Sequence, residues 1–166
     1  MIKENIVGII SDTHDHRKAI SLAVDAFNQA GCSLVIHGGD FVAPFTSLDF
    51  MKLEGKFVGV FGNNDGEKRG LREQFKKIGV ITEPPFEFTH FGEKIVVIHE
   101  PVYLNQFLSR EDIDLIVYGH IHKLDIRPGK PLVINPGECC SWLTGHSTIV
   151  ILDLDTMNPE VIELNV

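Results

Sequence analysis

Cysteine is scarce in this sequence, with Cys32 and the adjacent Cys139 and Cys140 as the only three in 166 residues. There is no CxxC pair and no even framework, so neither a disulfide scaffold nor a zinc ribbon is indicated, and a reducing compartment is the natural setting. Basic charge is also short, since 15 Lys and Arg against 23 Asp and Glu leave a net charge of −8. Affinity for a phosphate backbone comes largely from cationic side chains releasing counterions, so a nucleic-acid polymer is not an expected partner. No strip of basic and aromatic residues offsets that balance, which counts against a nuclease acting on polymers. Long apolar runs are missing too, none approaching the ~20 residues of a membrane span. The opening "MIKENIVGIIS" is too short in apolar length, and too soon followed by charge, for a signal peptide. A cytoplasmic protein with no membrane partner is the expectation. Repeats and low-complexity tracts are absent, and 43% hydrophobic with 23% charged residues is an ordinary globular composition. One domain over residues 1–166 is expected, long enough to bury roughly two thirds of the surface its unfolded chain exposes.

What is there begins with alternation. Asn5 to Ile10 read as a continuous apolar strand, followed by a helical pattern carrying Ile20, Ala23, Val24 and Phe27, with Gly31 as its stop. "SLVIH" reads as a second strand, "PFTSLDFMKLEG" as a helix between Pro44 and Gly55, "KFVGVFG" as a third strand and "EKRGLREQFKKIG" as the next helix. Such alternation implies a parallel sheet with right-handed crossovers. The second half is mostly β. "FEFTHFGEKIVVIH" reads as a hairpin around Gly92, a short helix near Tyr103 to Ser109 leads to the strand "IDLIVYG", and the remaining Ile- and Val-rich runs, broken by Pro-Gly turns, are expected to be antiparallel. The α/β chain is therefore expected to pack as two mixed sheets face to face with helices outside.

In an open α/β sheet, ligands bind beyond the carboxyl ends of the strands. After "VGII" come Asp12 and His14, after "LVIH" comes Asp40 in "GGD", and after "VGVF" comes Asn63 in "GNND". After "IVVI" comes His99, and after "LIVY" come His120 and His122 in "GHIH". Each has a bland reading taken singly: Asp12 as a helix cap, Asn63 as a turn former, His99 as a core histidine. Their coincidence at one predicted edge has none. Two carboxylates, one amide oxygen and four imidazoles exceed the needs of one tetrahedral zinc and suit Mn, Fe, Ni, Co or Zn rather than calcium. Two metals sharing a carboxylate is the economical solution. Such a site would be locally cationic in an acidic protein and would attract a phosphate. Two ions ~3.5–4 Å apart serve in-line displacement at phosphorus.

The ordered set "DTH", "GGD", "GNND", His99 and "GHIH" resembles the calcineurin-like metallophosphoesterase superfamily. Small size, the "GNND" form and the later "INPGE" are most similar to its compact YfcE-like phosphodiesterase branch, which is related to the vacuolar-sorting subunit of retromer. The resemblance implies a four-layer α/β/β/α sandwich. It implies that Asp12, His14 and His122 hold one metal, that Asn63, His99 and His120 hold the other, and that Asp40 bridges them. It also implies phosphodiester hydrolysis by a hydroxide bridging two divalent ions, with no covalent enzyme intermediate. Manganese is the first expectation for the metal, with Ni, Fe, Co or Zn compatible, and a small phosphate ester for the substrate; homo-oligomerisation is left open. The same centre would serve a phosphomonoesterase or broad phosphatase, whereas a scaffold of the retromer-subunit type has no need for seven intact ligands.

Two departures from the family pattern bear on chemistry. Many members carry histidine where Asn64 stands, and an amide can donate a hydrogen bond but cannot act as a general acid. Good leaving groups, and diesters over alkyl monoesters, are therefore expected. "IHEP" places Glu100 and Pro101 where many relatives have Gly-His, so substrate choice near the second metal is expected to differ. Asn64 and Asp65 are the candidates for catalytic roles beside the metal ligands, Asp65 by holding a metal-site histidine from behind. Asp15 and His16 read as a helix start, His37 as a brace for Asp40 or a core residue, His90 as solvated, His146 as a loop residue within reach of the site, and Cys139 and Cys140 as core-facing.

Overall fold

The computed structural model describes residues 1–166. The first half follows the alternation read above. β1 (Lys3–Ile10) runs from exposed to fully buried residues and leads to α1 (Arg17–Ala30), whose buried face is Ala19, Ile20, Ala23, Val24 and Phe27. That spacing is one stripe of a 3.6-residue helix. Gly31 ends α1 with φ +79°, where its N–H meets the Phe27 and Asn28 carbonyls, a stop that a left-handed residue provides. β2 (Cys32–His37) lies parallel to β1, and β3 (Lys56–Val60) lies parallel to β2.

The helix expected between Pro44 and Gly55 is much shorter. Pro44–Thr46 form a 3-10 turn and α2 is only Ser47–Phe50. Asn28 on α1 explains the stop, because its Nδ2 donates to the Lys52 carbonyl and its Oδ1 accepts from Glu54 N–H, tying those backbone groups outside a helix. α3 (Lys68–Phe75) buries Leu71 and Phe75. β4 (Gly79–Thr82) is a strand that no sequence pattern singled out, four residues on the sheet edge parallel to β3.

The hairpin around Gly92 is present as β5 (Phe86–His90) and β6 (Glu93–Val97). After a 3-10 turn at Pro101–Tyr103 and α4 (Asn105–Leu108) come β7 (Leu115–Val117), β8 (Leu124–Arg127), β9 (Leu132–Pro136), β10 (Thr148–Asp153) and β11 (Asn158–Glu163). The antiparallel expectation holds for the pairs β8–β9 and β10–β11, while β9 lies parallel to β7. One sheet has the order β11-β10-β1-β2-β3-β4 and the other β5-β6-β7-β9-β8, so both are mixed.

Their inner faces meet in a core that includes Val7, Ile9, Leu34 and Ile36 from one sheet and Ile95, Val97, Leu115, Val117 and Ile134 from the other. α1, α2 and α3 cover the outer face of the first sheet, where Phe41, Phe50, Phe57 and Phe75 cluster. Only α4 and its flanking turns cover the second, through Leu104, Phe107 and Ile113. The architecture is a four-layer α/β/β/α sandwich with one thin helical layer. No helix is long and apolar enough to cross a membrane.

His90 corrects one expectation. It is half-buried, and its Nε2 lies 2.9 Å from Ser33 Oγ, linking β5 of one sheet to β2 of the other.

Candidate metal centre

The inner parallel strands of both sheets deliver their carboxyl ends to one place. Backbone bonds stitch the loops that follow: Asp12 N–H to Gly39 O, His14 N–H to Asp40 O, Gly119 N–H to His99 O and Cys140 N–H to Asp12 O. Asp12, His14, Asp40, His120 and His122 all have φ between +37° and +70°. Left-handed backbone costs L-residues roughly 1–2 kcal/mol each, though Asp and His tolerate it better than most. Such strain concentrated at one edge marks loops shaped for something other than stability.

Ligand-type atoms of Asp12, His14, Asp40 and His122 all lie within 4.8 Å of one another. His122 Nε2 is 3.5 Å from Asp12 Oδ1, and His14 Nε2 is 3.5 Å from Asp40 Oδ2 and 3.9 Å from Asp12 Oδ1. The His14 nitrogen is buried with no hydrogen-bond partner. An orphaned buried polar atom costs about 1–3 kcal/mol, so its retention between two carboxylates fits a cation.

A second group adjoins the first. Asn63 Oδ1 lies 2.9 Å from both His99 Nε2 and His120 Nδ1, and His99 Nε2 is 3.5 Å from Asp40 Oδ2. His99 Nδ1 is 2.8 Å from the Gly38 carbonyl, which can only accept, so Nδ1 carries the proton. In the neutral ring the Nε2 lone pair then faces the Asn63 oxygen, acceptor against acceptor. Two ligands about 2.1 Å from one ion and at right angles would sit about 3 Å apart, which is the spacing found. The donor set thus fits divalent ions. His120 and His122 do not share one side of an extended segment: each turns through left-handed backbone, His120 toward Asn63 and His122 toward Asp12.

Electrostatics follow from burial and neighbours. Burial pushes the Asp12 carboxyl up, opposed by the Ser11 hydroxyl at 2.6 Å and by His99 and His122. Burial would also raise Asp40, but the His99 imidazole 3.5 Å away and two bonds from Asn64 bring it below the usual carboxylate range. Burial would lower the His99 imidazole, and the Asp40 and Asp12 carboxylates turn the balance upward.

The supporting residues partly correct the sequence expectations. Asp65 holds no histidine; its carboxylate accepts from Asp40, Val42 and Gly62 backbone N–H groups at 3.1, 2.8 and 2.7 Å. Its short side chain reaches the loop backbone beside it. Asn64 donates from N–H and Nδ2 to the two Asp40 oxygens at 2.9 and 2.8 Å. His37 is buried against Phe41, with Nε2 3.1 Å from Thr13 Oγ1 and Nδ1 accepting from Gly39 N–H, so it braces the "GGD" turn. His16 caps α1 by accepting from Ala19 N–H, and Asp15 accepts from Ala43 N–H. His146 is exposed and pairs with Glu163 at 2.8 Å rather than reaching the carboxylates. Cys139 and Cys140 are buried free thiols. Glu100 is half-buried and lines a cavity of about 180 Å³ with Asn63, Lys68, His99 and Tyr103.

Sequence reasoning passed over Glu138. It is fully buried, and its Oε2 lies 2.7 Å from His122 Nδ1, which fixes that nitrogen as the donor and leaves Nε2 to face Asp12. Burial alone would raise this carboxyl; His122, Thr144 and Cys140 hold it at about 2. Glu138 follows the apolar run "LVIN", so asking what ends each run would have found it. Glu138→Gln is expected to weaken metal affinity about 10–100-fold, read by competition with a chelating dye, because the amide no longer offers a full charge to the imidazole N–H. Unchanged affinity would reduce Glu138 to a loop anchor.

A family model for the calcineurin-like phosphoesterase superfamily domain matches residues 6–157. The chain belongs to this superfamily. Phosphodiesterase MJ0936 of Methanocaldococcus jannaschii is 37% identical over 161 residues, covering 90% of this calcineurin-like chain and 93% of its own length. A solved archaeal phosphodiesterase superposes with a TM-score of 0.91 at 36% identity, over 96% of this chain and 99% of that one. YfcE, a phosphoesterase from E. coli, has a TM-score of 0.68 at 16% identity, over 96% of this chain and 100% of its own, and shows the shared fold alone.

Proposed function

We propose that residues 1–166 act as one phosphoesterase domain that hydrolyses small phosphate diesters with two divalent ions, manganese first and Ni, Fe, Co or Zn compatible. The observation that carries this is Asp40 Oδ2, which lies 3.5 Å from His14 Nε2 on one side and 3.5 Å from His99 Nε2 on the other. One carboxylate oxygen faces both donor groups, as a bridging ligand must. Asp12, His14 and His122 would hold one ion, and Asn63, His99 and His120 the other. Bound there, the ions would acidify a water and offset charge on the phosphoryl oxygens.

The chain's own residues do the rest. Glu138 and the Gly38 carbonyl fix the tautomers of His122 and His99, so that Nε2 of each points inward. Asn64 clamps both oxygens of Asp40 and offers no acidic proton, so protonation of the leaving group falls to water or a neighbour. This supports a preference for good leaving groups and for diesters. The phosphodiesterase name of the 37%-identical relative supports the same direction.

Chelator-stripped protein is expected to regain cleavage of bis-p-nitrophenyl phosphate when Mn²⁺ is restored, and to cleave it faster than p-nitrophenyl phosphate. Binding of about two ions per chain with no turnover under any metal would overturn the enzymatic reading. Faster monoester cleavage would replace diesterase with phosphatase.

A further inference from the structure

We propose that Trp142 is a stacking platform beside the metal centre, holding a nucleobase carried on one ester arm of the substrate. This inference rests on the phosphodiesterase reading and names its substrate class. Trp142 is the only tryptophan in the chain, and 61% of its surface is exposed. An indole left in water forgoes the burial that normally justifies so large a ring, so its position needs another account.

That position is defined. The ring centroid is 6.2 Å from His14 and 6.0 Å from His16, and His14 in turn stacks on His122 at 5.1 Å and 24°. The three rings Trp142, His14 and His122 form a row, and the last two aim nitrogens at the carboxylates of the centre. The indole is therefore one ring removed from the candidate ligand atoms.

The loop that carries it is not free to drift. Leu143 N–H at 3.0 Å and Thr144 Oγ1 at 2.7 Å donate to the Glu138 carboxylate, the group that also orients His122. Ser141 adopts φ +61° and its carbonyl accepts from Gly145 N–H, closing the turn. One buried carboxylate thus positions a metal-site histidine and an exposed aromatic face together. A ligand matching both needs a phosphoryl group for the centre and a flat ring at one ring's remove, and a nucleoside phosphate joins the two. Stacking engages the face that every base has, so it would favour large bases over small ones.

The test uses the sole indole as reporter in Mn²⁺-loaded protein, titrated with adenosine 5′-monophosphate and with ribose 5-phosphate. The expected result is quenching by the nucleotide alone and binding about tenfold tighter than the sugar phosphate. By calorimetry, Trp142→Ala is expected to erase that ratio, Trp142→Phe to restore most of it, and inorganic phosphate to bind all three proteins alike. Equal affinity of nucleotide and sugar phosphate for the parent protein would overturn the platform. So would emission that shifts blue with protein concentration and ignores the nucleotide, which would assign the ring to a contact between copies. Failure of inorganic phosphate to bind, or of diester hydrolysis to appear, would count against the phosphodiesterase reading instead. Quenching needs no turnover, so the comparison decides the platform either way.

Discussion

Asp40→Asn is expected to lower Mn²⁺-dependent diester hydrolysis by about 10³-fold or more while leaving the metal-free fold intact. The rate loss follows from position: Asp40 Oδ2 faces both His14 and His99, so losing its charge weakens both halves of the centre together. Two-ion stabilisation of a phosphoryl transition state is worth several kcal/mol, and each 1.36 kcal/mol is tenfold in rate. The amide is also a poor mimic locally. Asn64 Nδ2 donates to Oδ2 and Asn64 N–H to Oδ1, so whichever atom becomes the new NH₂ faces a donor.

The metal-free fold should weaken but survive: the His99 and Asn64 interactions that hold the Asp40 carboxyl below its usual range are partly lost, and relief of the repulsion between Asp40 and Asp12 offsets only some of that. Thermal melts with and without Mn²⁺ separate the effects: the metal-free midpoint should fall modestly, and the rise that Mn²⁺ gives the parent should vanish. Activity within tenfold of the parent would remove Asp40 from the bridging position.

The candidate site was more legible than the elements around it, for a physical reason. A ligand at the end of a buried parallel strand is announced by the apolar run before it, and Asp12, Asp40, Asn63, His99 and His120 all follow such runs. The structure brings every one of them together with His14 and His122. Residues that act through backbone contacts carry no such signal. Asp65 stands two residues from Asn63 in the sequence, but its three backbone partners come from loops that only the folded chain brings near. Trp142 likewise gains meaning only from where Glu138 holds its loop.

In the fold, the hairpin at Gly92 and helix α1 were legible because local periodicity and a turn residue set both. The shortening of α2 was not, because the cause lies on another helix, in the Asn28 side chain. Nor was the return of β10 to pair with β1, a contact between Val7 and Leu152 that no local pattern encodes.

The same long-range logic gives the second large effect, at Asp65. Asp65→Ala is expected to destabilise the protein by about 3–5 kcal/mol, because it strands three backbone donors at about 1–3 kcal/mol each, less what water can repair. For a chain of this length that is a fall in Tm of roughly 10 °C. Asp65 is 3% exposed, so water has little access to replace its carboxylate. The loss should reach the chemistry as well. Its partners are the N–H groups of Asp40 and Val42 in the loop after β2 and of Gly62 in the loop after β3, which makes Asp65 the tie between a proposed bridging ligand and the loop carrying Asn63. Gly62 marks how closely these loops approach, since a Cβ there would collide with Asp40 Oδ1. Slack in that tie displaces ligands by fractions of an ångström, and misplacement of about 1 Å can cost 10²-fold. Asp65→Asn discriminates the cause, because its amide oxygen still accepts while its NH₂ cannot. An intermediate loss of both Tm and rate for the asparagine variant would show that the number of accepted bonds sets the effect. A loss equal to that of alanine would assign it to the charge.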